Sequence, residues 1–209
     1  MLKRQSFGLI LGLCGIGLLG SGLYMGGKAK LAQSLLDRAW TKTAMTGDVH
    51  LPWSWMDAHP VARLKIEGDE RSHIVLNTDS GQALAFGPAI ISGTENTDLL
   101  GIAAHKNTQF QNLKTLKAGE IITLERPKGE MLTYKITHTK IIDSRKDGLP
   151  IEVKAKTPSR LALVTCYPFD AVSFNGPMRY VVYAERIKDT HVQSVYFAPI
   201  RARIGGVIL

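Results

Sequence analysis

Short apolar stretches, most of them alternating with polar residues, dominate the chain from residue 61 onward. Alternation and enrichment in Val, Ile, Tyr and Thr predict strands at Val61–Glu67, His73–Asn77, Ile121–Arg126 and Met131–Thr139. Three more stretches are continuously apolar, as in strands buried on both faces: Leu99–Ala104, Arg160–Thr165 and Arg179–Ile187. Short strands at this spacing predict a mainly β fold, a single closed or nearly closed β-barrel of about eight strands.

Helical periodicity is limited to a few segments. The apolar spacing in residues 28–47 predicts a helix that ends at Gly47. Its apolar side would be formed by Leu31, Leu35, Leu36 and Ala39. Shorter helices are predicted near Ser80–Phe86 and Gln109–Leu113, and the tail contains one candidate strand, Val192–Phe197.

The N-terminal segment contains a long uncharged run. No charged residue occurs from Ser6 to Gly27, a length close to the roughly 20 residues that a membrane-spanning helix needs. A cleaved signal peptide would have a shorter apolar centre and a small-residue cleavage site, which Ala29–Ala32 matches poorly. We therefore expect an uncleaved signal-anchor that crosses the cell inner membrane once.

Three parts follow from these patterns. Residues 1–30 form the predicted transmembrane segment, residues 31–60 a juxtamembrane helix and linker, and residues 61–209 the barrel domain. The N-terminal tail is short, so the easier topology leaves it inside and puts the barrel on the extracytoplasmic, periplasmic side.

The formal net charge of +8 does not indicate nucleic-acid binding. Four of the 26 basic residues lie in the first 30 positions, which leaves 22 basic and 18 acidic residues in the rest of the chain. That part has no basic run with interleaved aromatic residues of the kind that follows a phosphate backbone. A mildly basic surface facing an anionic membrane or wall is the simpler interpretation.

Cysteine use points to one thiol in the exported part. Cys14 lies in the uncharged run, which leaves Cys166 without a disulfide partner in the barrel domain. An exported lone thiol is open to oxidation, so it is expected to be either deeply buried or functional.

Reactive side chains stand at the ends of three predicted strands. Cys166 follows the strand Arg160–Thr165, and Arg179 begins the strand after the next loop. If these strands pair antiparallel, the thiol and the guanidinium lie at one edge of the sheet. His105 follows the strand Leu99–Ala104, so all three can meet at one mouth of the barrel.

These residue types suit acyl transfer. A thiol needs deprotonation before it attacks, and an imidazole can take its proton and later protonate a leaving amine. A guanidinium can hold a carbonyl and offset the oxyanion of a tetrahedral intermediate. Asp98 and Asp170 are candidate carboxylates for orienting His105, but neither spacing requires that pairing.

The motifs around these residues resemble those of sortases. The run from Leu161 to Cys166 resembles the signature T-L-x-T-C, with Ala162 in place of its first Thr. Ala103-Ala104-His105 matches the element A-G-H, with Ala104 replacing the Gly. The segments Cys166–Asp170 and Asn175–Tyr180 look like the sortases of Gram-negative proteobacteria.

The resemblance spans residues 60–187 together with the N-terminal anchor, and it implies a function. His105, Cys166 and Arg179 would be catalytic, and Thr165 would contact substrate. The protein would be a cysteine transpeptidase that cleaves a C-terminal LPxTG-like sorting signal through a thioacyl intermediate and passes it to an amine acceptor. No cofactor or metal is implied, and the remaining histidines show no ligand spacing.

Other functions remain open at this point. Papain-like proteases place the Cys before the His, and L,D-transpeptidases carry a Gly directly before the Cys; neither pattern occurs here. The non-enzymatic alternative is a membrane-tethered β-barrel binding module with an inert cysteine, since Cys is often a buried core residue.

Overall fold

A computed structural model describes residues 2–151, 157–171 and 176–187. Within these ranges, side chains are described at residues 15 and 24 and from residue 26 onward. The candidate strand Val192–Phe197 lies outside the described residues.

The described part of the chain contains one long helix, one short helix and eight strands. Helix α1 is Leu2–Thr46 and α2 is Gly81–Phe86. The strands are β1 Pro60–Ile66, β2 Ser72–Leu76, β3 Ala89–Ile90, β4 Leu99–Ala103, β5 Ile121–Arg126, β6 Glu130–Asp143, β7 Arg160–Cys166 and β8 Met178–Arg186. Short 3-10 helices occur at Gln111–Thr115 and Pro127–Gly129.

The strands close into a barrel in the order β1-β2-β3-β4-β7-β8-β6-β5. Strand β7 lies between β4, with which it pairs parallel, and β8, with which it pairs antiparallel. Strands β2 and β3 also pair parallel, whereas the remaining neighbours are antiparallel. The prediction of a mainly β, closed barrel of about eight strands is confirmed.

Apolar side chains fill the barrel from all sides. This inner core includes Leu64, Ile102, Leu132, Leu163 and Val182, each almost fully buried. A second group, the outer cluster, covers the outside of the wall formed by β4, β7, β8 and the end of β6; its buried members are Leu99, Ile142, Ala162, Val164 and Val181. Strands β4, β7 and β8 are therefore apolar on both faces, which explains their continuous apolar sequences.

The second half of α1 packs against the barrel. The buried residues of this stretch are Ala32, Leu36, Ala39, Trp40 and Thr43, a spacing that forms one helical face. Trp40 lies under the guanidinium of Arg63 from β1, with 5.9 Å between Cζ and the ring centroid. Gly47 ends the helix as predicted: its N–H donates to Thr43 O (2.8 Å) and its φ is +81°.

The predicted packing face of this helix is partly wrong. Leu36 and Ala39 are buried, but Leu31 is 60% exposed, and Trp40 takes the central position instead. The cause is the helical period: Leu31 lies to one side of the stripe formed by residues 32, 36, 39, 40 and 43.

The N-terminal prediction is tested only in part. Helix α1 runs without a break across the predicted boundary at residue 30. Among the helical residues searched, no stretch is both long and apolar enough to span a membrane. The predicted span from Ser6 to Gly27 falls mainly on residues whose side chains are not described, so it stays a prediction.

Candidate active site

Cys166 lies between the two other predicted site residues in the sheet. In the antiparallel pair β7–β8, Cys166 is directly opposite Arg179. In the parallel pair β4–β7, Ala103 is opposite Val164, and the N–H of Ala104 donates to Val164 O (3.1 Å). Continuing that register by two residues brings the His105 backbone beside Cys166, about one strand spacing of 4.8 Å away.

Side-chain alternation places Cys166 on the outside of the barrel wall. Along β7, Leu161 and Leu163 belong to the inner core, whereas Ala162 and Val164 belong to the outer cluster. Successive side chains of a strand point to opposite faces, so Cys166 follows Ala162 and Val164 to the outside.

The two neighbours of Cys166 follow the same alternation. Arg179 precedes Val181 of the outer cluster by two residues, and so faces outward. His105 follows Ala104, an inner-core residue, and is itself exposed. The three side chains therefore share the outer surface at the strand ends, rather than the barrel mouth that the sequence suggested.

A buried hydrogen bond ties the strand ends together. The hydroxyl of Thr165 donates to Ala104 O at 2.7 Å, and Thr165 is only 2% exposed. The bond joins the residue before Cys166 to the residue before His105. Thr165 faces the inner side of the wall, and its predicted contact with substrate stays a prediction.

Arg179 is half-buried and held by its own loop. Its Nη1 donates to Gly176 O (2.6 Å) and to Met178 O (2.9 Å). Within the described residues, Nε and Nη2 make no hydrogen bond, which leaves those donors for a bound molecule.

No carboxylate among the described residues hydrogen-bonds the His105 ring. Asp98 lies at the opposite end of β4, where its carboxylate accepts from Arg160 Nε at 3.0 Å. Asp170 is exposed on the loop after β7. The His105 carbonyl accepts from Phe110 N–H (3.1 Å), which fixes the backbone that carries the imidazole.

An apolar surface adjoins the three residues on the outer face. Gly101 lies in the middle of β4, and a Cβ there would come within 2.9 Å of Leu149 Cδ1 and 3.0 Å of Ile91 Cδ1. The missing side chain thus lets Leu149 and Ile91 pack directly on the sheet next to the outer cluster.

The loop after Cys166 carries contacts that were not predicted from the sequence. Tyr167 and Phe169 pack with Tyr180 of β8, with Phe169 and Tyr180 ring centroids 5.3 Å apart. Lys106 is 5% exposed and donates to Pro168 O and Ala171 O at 2.6 and 2.7 Å. Lysine is rarely buried, so its sequence position gave no signal of this contact.

The arrangement fits covalent acyl transfer. A half-buried free thiol, an exposed imidazole and a partly engaged guanidinium occupy adjacent strand ends on one face. In the described part of the chain, no group of three or more His, Cys, Asp or Glu could hold a metal ion. A closed barrel with these three residue types at adjacent strand ends is the arrangement of a cysteine-dependent acyl-transfer class of enzyme.

Comparison with known proteins agrees with that class. The Sortase domain family matches residues 64–187, more than half of the chain, and the chain belongs to the sortase family of cysteine transpeptidases. No curated protein matches the chain.

Solved structures share the fold. A Clostridium perfringens Sortase D5 transpeptidase superposes with a TM-score of 0.58 at 18% identity, covering 76% of this chain and 99% of that one. Sortase C1 from Streptococcus suis gives 0.51 at 20% identity, covering 62% and 73%. Streptococcus agalactiae sortase C1, in complex with MTSET, gives 0.52 at 18% identity, covering 63% and 71%.

Proposed function

We propose that this chain is a membrane-anchored cysteine transpeptidase that cleaves a C-terminal LPxTG-like sorting signal and joins the cleaved protein to an amine acceptor. The observation that carries the proposal is the register of three adjacent strands, with Cys166 opposite Arg179 and beside the His105 end of β4. Family membership supplies the reaction class.

The first half of the proposed reaction acylates the thiol. His105 takes the proton of Cys166, and the sulfur attacks the carbonyl carbon of the Thr–Gly bond. Arg179 stabilises the resulting oxyanion through its unoccupied donors. The intermediate then collapses: the C–N bond breaks, His105 returns the proton to the leaving amine, and a thioester remains on Cys166.

The second half transfers the acyl group. The acceptor amine attacks the thioester carbon, His105 takes the proton that the amine loses, and Arg179 again faces the oxyanion. Breaking the C–S bond forms a new amide and returns the sulfur, which regains its proton from His105. Water in place of the amine would give hydrolysis.

The test of the reaction uses the chain starting at Lys28, which keeps the α1 face that packs on the barrel. Peptides with LPxTG-like signals and an amine acceptor are incubated with this chain, and products are identified by mass spectrometry. We expect a new amide between the fragment ending in Thr and the amine, and none with Cys166→Ala. No product with any peptide would favour the binding module with an inert cysteine.

We further propose that the chain belongs to the sortases of Gram-negative proteobacteria and sits in the inner membrane with its barrel in the periplasm. The segment Cys166–Asp170 supports the class, and the uncharged run from Ser6 to Gly27 supports the anchor. In a vesicle flotation assay the full chain should float with lipid, and the chain starting at Lys28 should not. Equal flotation of both would remove the anchor from the proposal.

A further inference from the structure

Lys106 is a buried cation directly beside the His105 strand end. It is 5% exposed, and its ammonium lies under the loop that follows Cys166. Its partners are two backbone carbonyls, Pro168 O at 2.6 Å and Ala171 O at 2.7 Å, which are 62 and 65 residues away in sequence. Two segments that flank the site are thus joined by one side chain.

The chemistry of this contact is specific to a cation with several donors. A buried ammonium is costly unless hydrogen bonds replace its water, and Lys106 has no ion pair with a carboxylate in the described residues. An ammonium offers three N–H donors, so it can bind both carbonyls at once.

Among the described residues, two backbone hydrogen bonds also hold this loop. Tyr167 N–H donates to Met178 O (3.0 Å) at the strand end, and Ala171 N–H donates to Pro168 O at a long 3.4 Å. Phe169 packs against the inner core. Without Lys106, the segment Pro168–Ala171 would keep its own local turn and the ring contacts of Phe169 with Tyr167, Tyr180 and the Lys114 ammonium.

We propose that Lys106 is a positioning residue that holds segment 167–171 in place, so that the backbone leaving Cys166 has a fixed geometry for substrate. Lys106 touches neither the thiol nor the guanidinium; it acts through the loop. Its role in holding the loop follows from the hydrogen bonds alone, whereas its role in positioning substrate rests on the proposed function.

The experiment compares Lys106→Met, Lys106→Arg and wild type in the full chain, with Lys117→Met as the matched control. Met keeps the length of the side chain without donors, and Lys117 is an exposed lysine whose loss removes the same charge. Hydrogen exchange of the backbone amides of residues 169–171 is measured by mass spectrometry, and peptide turnover is measured in parallel.

In Lys106→Met we expect exchange at residues 169–171 to rise about tenfold or more, because the carbonyls of Pro168 and Ala171 lose the ammonium that binds them both. We expect kcat/KM to fall by a similar factor, mainly through a higher KM. Lys106→Arg, which keeps charge and donors, should recover part of both changes, and Lys117→Met should match wild type.

Unchanged exchange in Lys106→Met would show that Lys106 does not hold the loop. Raised exchange with unchanged kcat/KM would show that the loop it holds does not position substrate. Equal effects in Lys117→Met would reduce the result to a general charge effect and overturn both. If wild type turns over no peptide, the proposed function fails while the exchange result still decides the role of Lys106. If Lys106→Met does not fold, Lys106→Arg decides: raised exchange with a higher KM supports the proposal, and wild-type values of both overturn it.

Discussion

The site depends on residues directly beside one another in the sheet. Residues directly opposite in an antiparallel pair have Cβ atoms about 5 Å apart, so the register of β7 and β8 alone makes Cys166 and Arg179 neighbours. The bond from Thr165 to Ala104 then sets where the His105 backbone lies relative to Cys166.

Thr165 provides the first prediction. Thr165→Val keeps the shape but removes the donor, leaving the carbonyl of Ala104 buried and unpaired. We expect the free energy of unfolding, measured in urea, to fall by about 1–3 kcal/mol, with slower peptide turnover. Thr165→Ser retains the hydroxyl and should lose less. A Val variant as stable and as active as wild type would show that this bond does not align the strand ends.

Arg179 provides the second prediction. In Arg179→Lys the ammonium cannot reproduce the fork of donors, in which the N–H groups of Nε and Nη2 remain for substrate while Nη1 binds Gly176 and Met178. We expect kcat/KM to fall by about 100-fold or more, with little change in thermal stability. Arg71→Lys, at a half-exposed ion pair with Asp69 in the turn between β1 and β2, is the control. Near wild-type turnover in Arg179→Lys would remove this residue from the mechanism.

At the scale of elements, the strands that carry the site could be predicted from the sequence. Strands β4, β7 and β8 are apolar on both faces, which gives runs that are conspicuous in sequence, and each site residue stands at the end of its run. The antiparallel pairing of β7 with β8 was a condition of the predicted site, and the structure has it. Strand order around the rest of the barrel depends on long-range contacts and could not be derived.

Other elements carry too little local signal. Strand β3 is only Ala89–Ile90, too short to show alternation. It is held by long-range backbone hydrogen bonds at its two ends, from Leu76 N–H to Pro88 O and from Ile91 N–H to Gly101 O. The face of α1 could not be assigned because apolar residues lie on more than one side of it. Lys106 was missed because its burial depends on a loop more than 60 residues later.

The docked half of α1 provides the third prediction. In the chain starting at Lys28, Trp40→Ala removes a fully buried ring between α1 and Arg63 of β1. We expect a loss of about 3–5 kcal/mol in denaturant unfolding. Leu31→Ala, in the same helix but 60% exposed, should change stability by less than about 0.5 kcal/mol. Equal losses in both variants would place the packing face where the sequence pattern suggested.

For the whole molecule, two histidines link stability to pH. Burial lowers the pKa of His73, with the charge of Arg71 acting in the same direction and Asp69 opposing it. Burial also lowers the pKa of His59. Both are thus harder to protonate in the folded than in the unfolded chain. Their stabilisation is complete above the unfolded pKa of about 6.5 and is lost as pH falls below it.

The fourth prediction follows from that sign. Unfolding free energy measured in urea should decrease from pH 7 toward pH 5 in wild type, and the decrease should be smaller in His73→Gln. His59→Gln should flatten it as well, and the double variant should show the smallest slope. A double variant with the full wild-type slope would mean that other groups cause the acid sensitivity.

The central claim is that Cys166 is the nucleophile of an acyl transfer, and trapping the thioester tests it most directly. The chain starting at Lys28, in which Cys166 is the sole cysteine, is mixed with LPxTG-like peptides and quenched in acid. Its intact mass is then measured by mass spectrometry. We predict an added mass equal to the peptide up to its Thr, located on Cys166 after digestion and released by an added amine. Cleavage of the same peptides by Cys166→Ala at the wild-type rate would contradict the account.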